Sequence, residues 1–238
     1  MSDLTAESSL KQVLAVALAL LITVGLSLPA PAAAGEEEDF TGYSQADDEG
    51  YVRAEVALSG DDIVDVSLVE YNEMAREKGE DYPWDDWHVA MEELPRRFIE
   101  ADNYDVDIVS GATDTSEKAI EAVEMALDRA DGEEHFSGRF MGISEIIERG
   151  WAVVWVTVEI DEEAEEGYQL TDLRLEEVSG DEFKDEDYGW SEFHEAQEEM
   201  AQRMLEANTY EVDTFTGATG SSELWIEAVQ DALGKAGF

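Results

Sequence analysis

Two threonines stand where chemistry is expected. Thr113 ends the run Asp107-Ile108-Val109-Ser110-Gly111-Ala112-Thr113, and Thr219 ends Asp213-Thr214-Phe215-Thr216-Gly217-Ala218-Thr219. Gly111 and Gly217 permit a tight backbone turn, and Ala112 and Ala218 leave little bulk beside each hydroxyl. Helix-start signals follow at once: Asp114 or Ser116 with Glu117 in the first run, Ser221-Ser222-Glu223 in the second. Each hydroxyl is therefore expected just before a helix N-terminus. Free N–H groups and the positive end of the helix dipole favour a phosphate there. A single Ser-Gly-Ala-Thr reads as an ordinary turn or cap. Two in register, each behind an aspartate and ahead of a helix, read as a repeated site.

The elements that must position these threonines are duplicated with them. A spacing of 106 residues aligns Thr113 with Thr219, Tyr82 with Tyr188, Trp84 with Trp190, His88 with His194, Arg97 with Arg203 and Tyr104 with Tyr210. About half the positions from Tyr82 to Asp131 are identical to their counterparts. A solenoid needs shorter and more numerous units, so the pattern predicts two homologous small domains, residues 35–132 and 133–238. Each opens with strand alternation: Val52, Ala54, Val56 and Leu58, a turn at Ser59–Asp62 and a return over Ile63–Val69 in the first. Trp151–Ile160 and Leu170–Val178 are the corresponding strands of the second, joined by an acidic loop. Helical stripes follow, Trp84, Trp87, Met91, Leu94, Phe98 and Trp190, Phe193, Gln197, Met200, Met204, with Pro95 expected to break or kink the first. A second amphipathic helix closes each unit through Ile120, Val123, Leu127 and Ile226, Val229, Leu233. The order β-β-α-loop-α predicts an α+β fold, an antiparallel sheet with helices on one side.

Composition narrows the chemistry. There are no cysteines, which removes disulfides, iron–sulfur clusters, thiolate zinc and thiol catalysis, and three histidines do not make a His-rich metal site. The 238 residues hold 60 acidic and 14 basic side chains, a net charge of −46. That charge excludes ordinary nucleic-acid binding and opposes docking on an anionic membrane. A hydrophobic content of 44% is globular, so the chain is no acidic tail. The apolar run Val13–Leu28, followed by Pro29 and the small residues to Gly35, has the layout of an export signal with an A-x-A cleavage site after Ala34. An uncleaved membrane anchor and a buried core helix are the alternative readings. Removing residues 1–34 takes away two acids and one base and leaves −45.

The repeated motif carries a resemblance. Each unit resembles the FMN-binding domain found in the sodium-translocating NADH:quinone reductase and in the Rnf electron-transport complex. It is also similar to extracytoplasmic flavoproteins with tandem copies of that domain. The likeness runs from the Tyr51–Val69 hairpin to Leu127 and is most specific at Asp107–Ser116. In that family the last threonine of D-x-x-[ST]-G-A-T takes FMN through a phosphoester, installed by a flavin transferase that uses FAD and magnesium. The resemblance implies two covalent FMN groups, on Thr113 and Thr219. Asp107 and Asp213 are then the motif acids needed for recognition by, or reaction with, the transferase. Ser110, Gly111, Ala112, Thr216, Gly217 and Ala218 complete the two cofactor-binding loops. The second copy departs at Thr214-Phe215 and Gly220-Ser221, where the first has Ile108-Val109 and Asp114-Thr115.

The implied protein is an extracytoplasmic electron carrier, secreted, at the cell surface or held by the N-terminal segment, with a membrane or extracellular redox partner. It needs no catalytic acids or bases and no metal. A flavin-donor component of an external reductase and a flavin-free surface binding module are the rival readings. Tyr104, Tyr210, Trp84, Trp190, Trp87 and Phe193 are candidates to stack on a flavin, with core packing the plainer reading for the Trp/Phe set. His88 and His194 read as packed histidines rather than proton donors. Arg97 and Arg203 are set either to pair with local carboxylates or to meet the phosphate. The acid runs Glu36–Asp39 and Glu162–Glu166 lack the spacing of a calcium loop and read as solvated surface.

Overall fold

The computed structural model describes residues 37–238. The N-terminal export or anchor segment predicted at 1–34 lies outside the described residues. Strands β1 (Glu37–Tyr43), β2 (Tyr51–Ser59) and β3 (Asp62–Tyr71) precede helices α1 (Asp85–Ala101) and α2 (Thr113–Ala130). The second half repeats the order with β4 (Gly138–Ile143), β5 (Trp151–Ile160), β6 (Tyr168–Ser179) and a short β7 (Glu182–Phe183). Helices α3 (Ser191–Ala207) and α4 (Thr219–Ala236) follow. The sheets are antiparallel, ordered β1-β2-β3 and β4-β5-β6-β7. The fold is α+β, two homologous small domains that each lay their helices on a sheet.

Each half therefore has a leading strand beyond the expected β-β-α-α order. The acidic run expected as solvated surface forms the start of β1, although Glu37, Glu38 and Asp39 keep exposed side chains. Charges along an edge strand also discourage pairing with another chain. The signal for these strands is a glycine. A Cβ on Gly42 would lie 2.0 Å from the Ala122 carbonyl oxygen of α2, and one on Gly142 1.9 Å from that of Ala228 in α4. Only glycine lets β1 and β4 lie directly on the helix backbone. On the helix side the contact is made by fully buried alanines, Ala119, Ala122 and Ala126, while the larger Ile120 and Leu127 sit at the margin of the core.

The first helical stripe is rotated from its predicted setting. Trp87, Ala90, Leu94 and Phe98 are buried in α1 and Phe193, Ala196, Met200 and Met204 in α3, at helical spacing. Trp84 and Trp190, expected in the stripe, precede the helices and remain exposed. Pro95 does not end α1, which spans 17 residues, as does α3 with Ala201 in that place. An interior proline costs about 3 kcal/mol. Burial of Leu94 and Phe98 on either side offsets it at about 1.5–3 kcal/mol each. Both helices stop on a left-handed residue, Asp102 (φ 53°) and Asn208 (φ 53°). The side chain of each accepts from the return strand, at Ile63 N–H (2.7 Å) and Leu170 N–H (2.7 Å).

The halves share a third hydrophobic cluster. In β2 only one face is well buried, but both faces of β5 are. Ala152, Val154, Val156 and Val158 face α3 and α4, while Trp151, Val153 and Trp155 pack with Ala46, Tyr51 and Met74 of the first half. Each buried indole finds an acceptor across the junction: Trp151 Nε1–H to the Met74 carbonyl (3.0 Å) and Trp155 Nε1–H to the Asp47 carbonyl (2.8 Å). Arg129 donates to the Thr41 and Lys235 carbonyls, one from each half. The described residues, 37–238, consequently form one compact unit.

One buried ion pair occurs twice with different support. Glu70 Oε1 takes Lys78 Nζ at 2.5 Å, and its Oε2 accepts from Trp87 Nε1 at 2.7 Å. Glu177 and Lys184 repeat the pair, but Phe193 stands where Trp87 does and Glu177 Oε2 has no partner among the described residues. The lost indole volume is recovered nearby: Trp225 packs on Phe193 with ring centres 5.3 Å apart, where the first half has Ala119. The aromatic bulk is more than restored, and the hydrogen bond is not.

Candidate functional site

The two motif loops are built alike. In the first, Ala112 N–H bonds the Val109 carbonyl (3.0 Å), and Val109 N–H bonds Ser116 Oγ (3.0 Å), which donates on to the Ala112 carbonyl (2.7 Å). In the second, Phe215 N–H to Ser222 Oγ (3.1 Å) and Ser222 Oγ to the Ala218 carbonyl (3.0 Å) repeat the staple. Ser116 and Ser222, read from sequence as helix-start signals, thus lie inside the helices, buried, and tie each loop to the turn above it. Their identity in the two copies was the available signal.

Arginine anchors the other end of each loop. Arg97 Nη1 donates to the carbonyls of Asp107 (2.6 Å) and Ile108 (3.2 Å), and Nη2 meets Glu93 (2.5 Å). Arg203 donates to the Asp213 carbonyl (2.9 Å) and pairs with Glu199 (2.9 Å). Each arginine therefore takes local carboxylates and the motif backbone together. At the glycine end, a Cβ on Gly111 would sit 2.3 Å from Asp86 Oδ2 in the first turn of α1, and one on Gly217 4.0 Å from Glu192 Cγ. Residues 86 and 97 are about 16 Å apart along the helix. An extended chain from 107 to 111 spans about 14 Å. The motif accordingly runs antiparallel to α1, and it delivers the threonine to the N-terminal end of that helix.

There Thr113 and Thr219 are the first residues of α2 and α4, not residues before them. Both are exposed. Ala112 and Ala218 are the N-caps, buried, and among the described residues neither helix start has a side-chain cap. Gly111 (φ 89°) and Gly217 (φ 102°) make the turn in a region that L side chains rarely adopt. Ser110, Thr216, Asp107 and Asp213 are exposed, and among the described residues the two aspartate carboxylates have no hydrogen-bond or ion-pair partner. The structure thus brings all ten predicted loop residues to two equivalent places and leaves both threonine hydroxyls accessible.

The aromatic candidates separate by position. Trp87 and Phe193 are core residues. Trp84 and Trp190 immediately precede α1 and α3 and are 40% and 36% exposed, at the same helix ends as the threonines. Tyr104 is exposed beyond the opposite end of α1, where hydrogen bonding to Glu124 raises its phenol. Tyr210 packs partly buried on the second core. His88 and His194 each place Nε2 on a tyrosine carbonyl, Tyr82 (2.7 Å) and Tyr188 (2.8 Å), and pack edge-on against Trp87 and Phe193.

The first helix start carries a charged cluster. Lys118, nearly buried, meets Asp47 (2.8 Å) and Asp114 (3.0 Å). Partial burial works to raise the Asp47 carboxyl, but hydrogen bonds from Lys118 and from the Glu49 N–H, with the lysine charge, hold it below 3.8. Burial works to lower Lys118, and hydrogen bonds and charge from Asp47 and Asp114 raise it above 10.5. The lowered Asp47 contributes stability above its unfolded value that is lost as pH falls through the folded one. The raised Lys118 contributes stability below its unfolded value that is lost as pH rises through the folded one. Urea unfolding of the wild type and Lys118→Met should therefore differ by a constant amount between about pH 5 and pH 10, and the difference should shrink outside that window.

Comparison with known proteins places the chain. A family model described as FMN-binding domain matches residues 49–128 and again residues 150–234. Among solved structures, the crystal structure of a protein from Clostridium perfringens is similar at 24% identity, over 40% of this chain and 88% of that chain, with a TM-score of 0.35. No curated protein matches.

Proposed function

The chain belongs to the FMN-binding domain family, and on that premise we propose that it carries two FMN groups, joined to Thr113 and Thr219 by phosphoester bonds, and shuttles electrons outside the cytoplasm. The family match supports a flavin-binding protein of electron-transfer type. The observation that carries the finer reading is the placement of both threonines, exposed at the first position of an uncapped helix. The residues present fit the group. The hydroxyl Oγ is free to form the ester, and first-turn N–H groups face its phosphate. Gly111 and Gly217 keep the approach clear, and an exposed indole stands at the same helix end for the ring.

Bound flavin supplies one- and two-electron chemistry. The protein's part is to hold and orient. The Ser116 and Ser222 staples and the Arg97 and Arg203 anchors fix the loops. Asp107 and Asp213 are left uncommitted for a flavin transferase to read. Trp84 and Trp190 offer a face for stacking. No group here needs to move a proton in a substrate, which favours a carrier over an enzyme. The redox partner would be a membrane or extracellular protein.

Intact mass after co-expression with a flavin transferase tests the reading. Two FMN additions are expected. An unmodified mass would overturn it in favour of a flavin-free binding module, and turnover of an external acceptor by the loaded protein alone would make it a reductase component. The same mass reports whether residues 1–34 are removed.

The charge belongs to the same proposal. A net −45 beyond residue 34 suits a protein that works in high salt. Raising salt from about 0.1 M to about 1 M shortens the Debye length from about 10 Å to about 3 Å and relieves self-repulsion. The thermal midpoint should rise, by about 2–4 °C for each kcal/mol gained. A midpoint that falls with added salt would contradict the high-salt assignment.

A further inference from the structure

The two threonine sites share their backbone and differ in charge. The hairpin bridges Asp47–Gly50 and Ile147–Gly150 are equivalent, so Arg149 stands where the first half has Glu49. Four positions around each helix start can be compared. In the first half they are Asp47, Glu49, Asp114 and Lys118, three acids and one lysine, net −2. In the second they are Ile147, Arg149, Gly220 and Leu224, net +1.

The lysine of the first site is already committed to Asp47 and Asp114. The arginine of the second is not. Among the described residues, no carboxylate lies within ion-pair distance of Arg149. Arg129, the other described basic residue without an ion pair, spends its guanidinium on two backbone carbonyls. Arg149 is exposed, and its guanidinium lies against the residue that follows Thr219. A Cβ on Gly220 would be 2.3 Å from Nη2 and 2.7 Å from Nη1. The place of the Asp114 side chain in the first site is thus taken in the second by a guanidinium without an ion pair among the described residues. In a chain of 60 acids and 14 bases, such a cation is unusual.

We propose that Arg149 pairs with the phosphate of the flavin on Thr219, and that this makes the Thr219 flavin the more readily reduced of the two. The inference rests on the flavin reading above. Taking up two electrons and one proton adds one negative charge to a flavin, and a nearby unpaired guanidinium favours that charge while a net −2 cluster opposes it. Guanidinium also matches phosphate geometry through paired N–H donors. The gain is greatest at low ionic strength because the arginine is exposed.

The test uses the full chain carrying one flavin at a time, Thr113→Ala for the second site and Thr219→Ala for the first. Midpoint potentials are read by dithionite titration at low salt. The Thr219 flavin is expected at the higher potential. Arg149→Glu, which copies Glu49, should lower it, Arg149→Lys should retain most of it, and Glu49→Arg should raise the potential at Thr113. Equal potentials at the two sites, or a Thr219 flavin indifferent to Arg149→Glu, would overturn the proposal. If intact mass shows no flavin, the covalent reading has failed and free FMN added to the unmodified protein becomes the probe. The backbone amide resonance of Gly220 should then shift more than that of Asp114, and the shift should vanish in Arg149→Glu. No shift, or one that survives the substitution, overturns the role of Arg149 independently.

Discussion

Thr113→Ala and Thr219→Ala are each expected to remove one FMN from the loaded protein, and the double substitution to remove both, with the fold unchanged. Both side chains are exposed and neither caps its helix, so their loss costs the fold little. The ester oxygen has no substitute, because alanine carries no hydroxyl, and loss at the altered site should be complete by intact mass. The adjacent glycines should separate the two sites. Alanine at either 111 or 217 meets a backbone conformation costly for an L residue, about 1–2 kcal/mol. At Gly111 the new Cβ also drives into Asp86, whereas at Gly217 the nearest obstacle is 4.0 Å away. Gly111→Ala should therefore reduce loading at Thr113 more than Gly217→Ala reduces loading at Thr219. Equal losses would mean that backbone strain alone governs access.

The buried ion pairs should give the largest change in stability. Lys78→Met leaves the Glu70 carboxylate, whose side chain is 1% exposed, with only the Trp87 N–H. An uncompensated buried charge of this kind costs about 3–5 kcal/mol. Replacing both partners, as in Glu70→Leu with Lys78→Met, should recover most of that loss, since apolar pairs of similar volume are often neutral. The second half sharpens the comparison. Among the described residues Glu177 Oε2 already lacks a donor, so the paired apolar replacement of Glu177 and Lys184 should cost less than that of Glu70 and Lys78. Denaturant unfolding of these variants decides the matter. A double replacement in the second half that costs more than the one in the first would show that the orphaned oxygen is not a burden.

Much of the architecture is legible because its signals are local. Alternation over Val52–Leu58 and Trp151–Ile160 marks strands, and the 106-residue repeat marks the duplication without any knowledge of packing. The unread elements are those whose logic lies in another part of the chain. The strands β1 and β4 look like acidic or nondescript segments until Gly42 and Gly142 are seen against Ala122 and Ala228. Trp84 and Trp190 share a helical period with core residues, yet a period does not say where the helix begins, and both fall just before it. Pro95 is a local helix breaker overruled by the burial of its neighbours.

The two motif loops are legible in the sequence because a tight turn into a helix depends on residue type in a short, repeated order. Hydroxyl, glycine, small residue and helix start are all encoded within about a dozen positions, and writing them twice identifies them. What only the tertiary structure decided is the surroundings of each threonine. Ser116 and Ser222 staple the loops, Arg97 and Arg203 anchor them along a helix, and Lys118 is consumed by a hairpin 71 residues away, whereas Arg149 has no ion pair among the described residues. Electrostatics acts through space across strands and turns. Two motifs nearly alike in sequence can therefore differ by three charges at their helix starts, a difference visible only once the hairpins are folded back beside them.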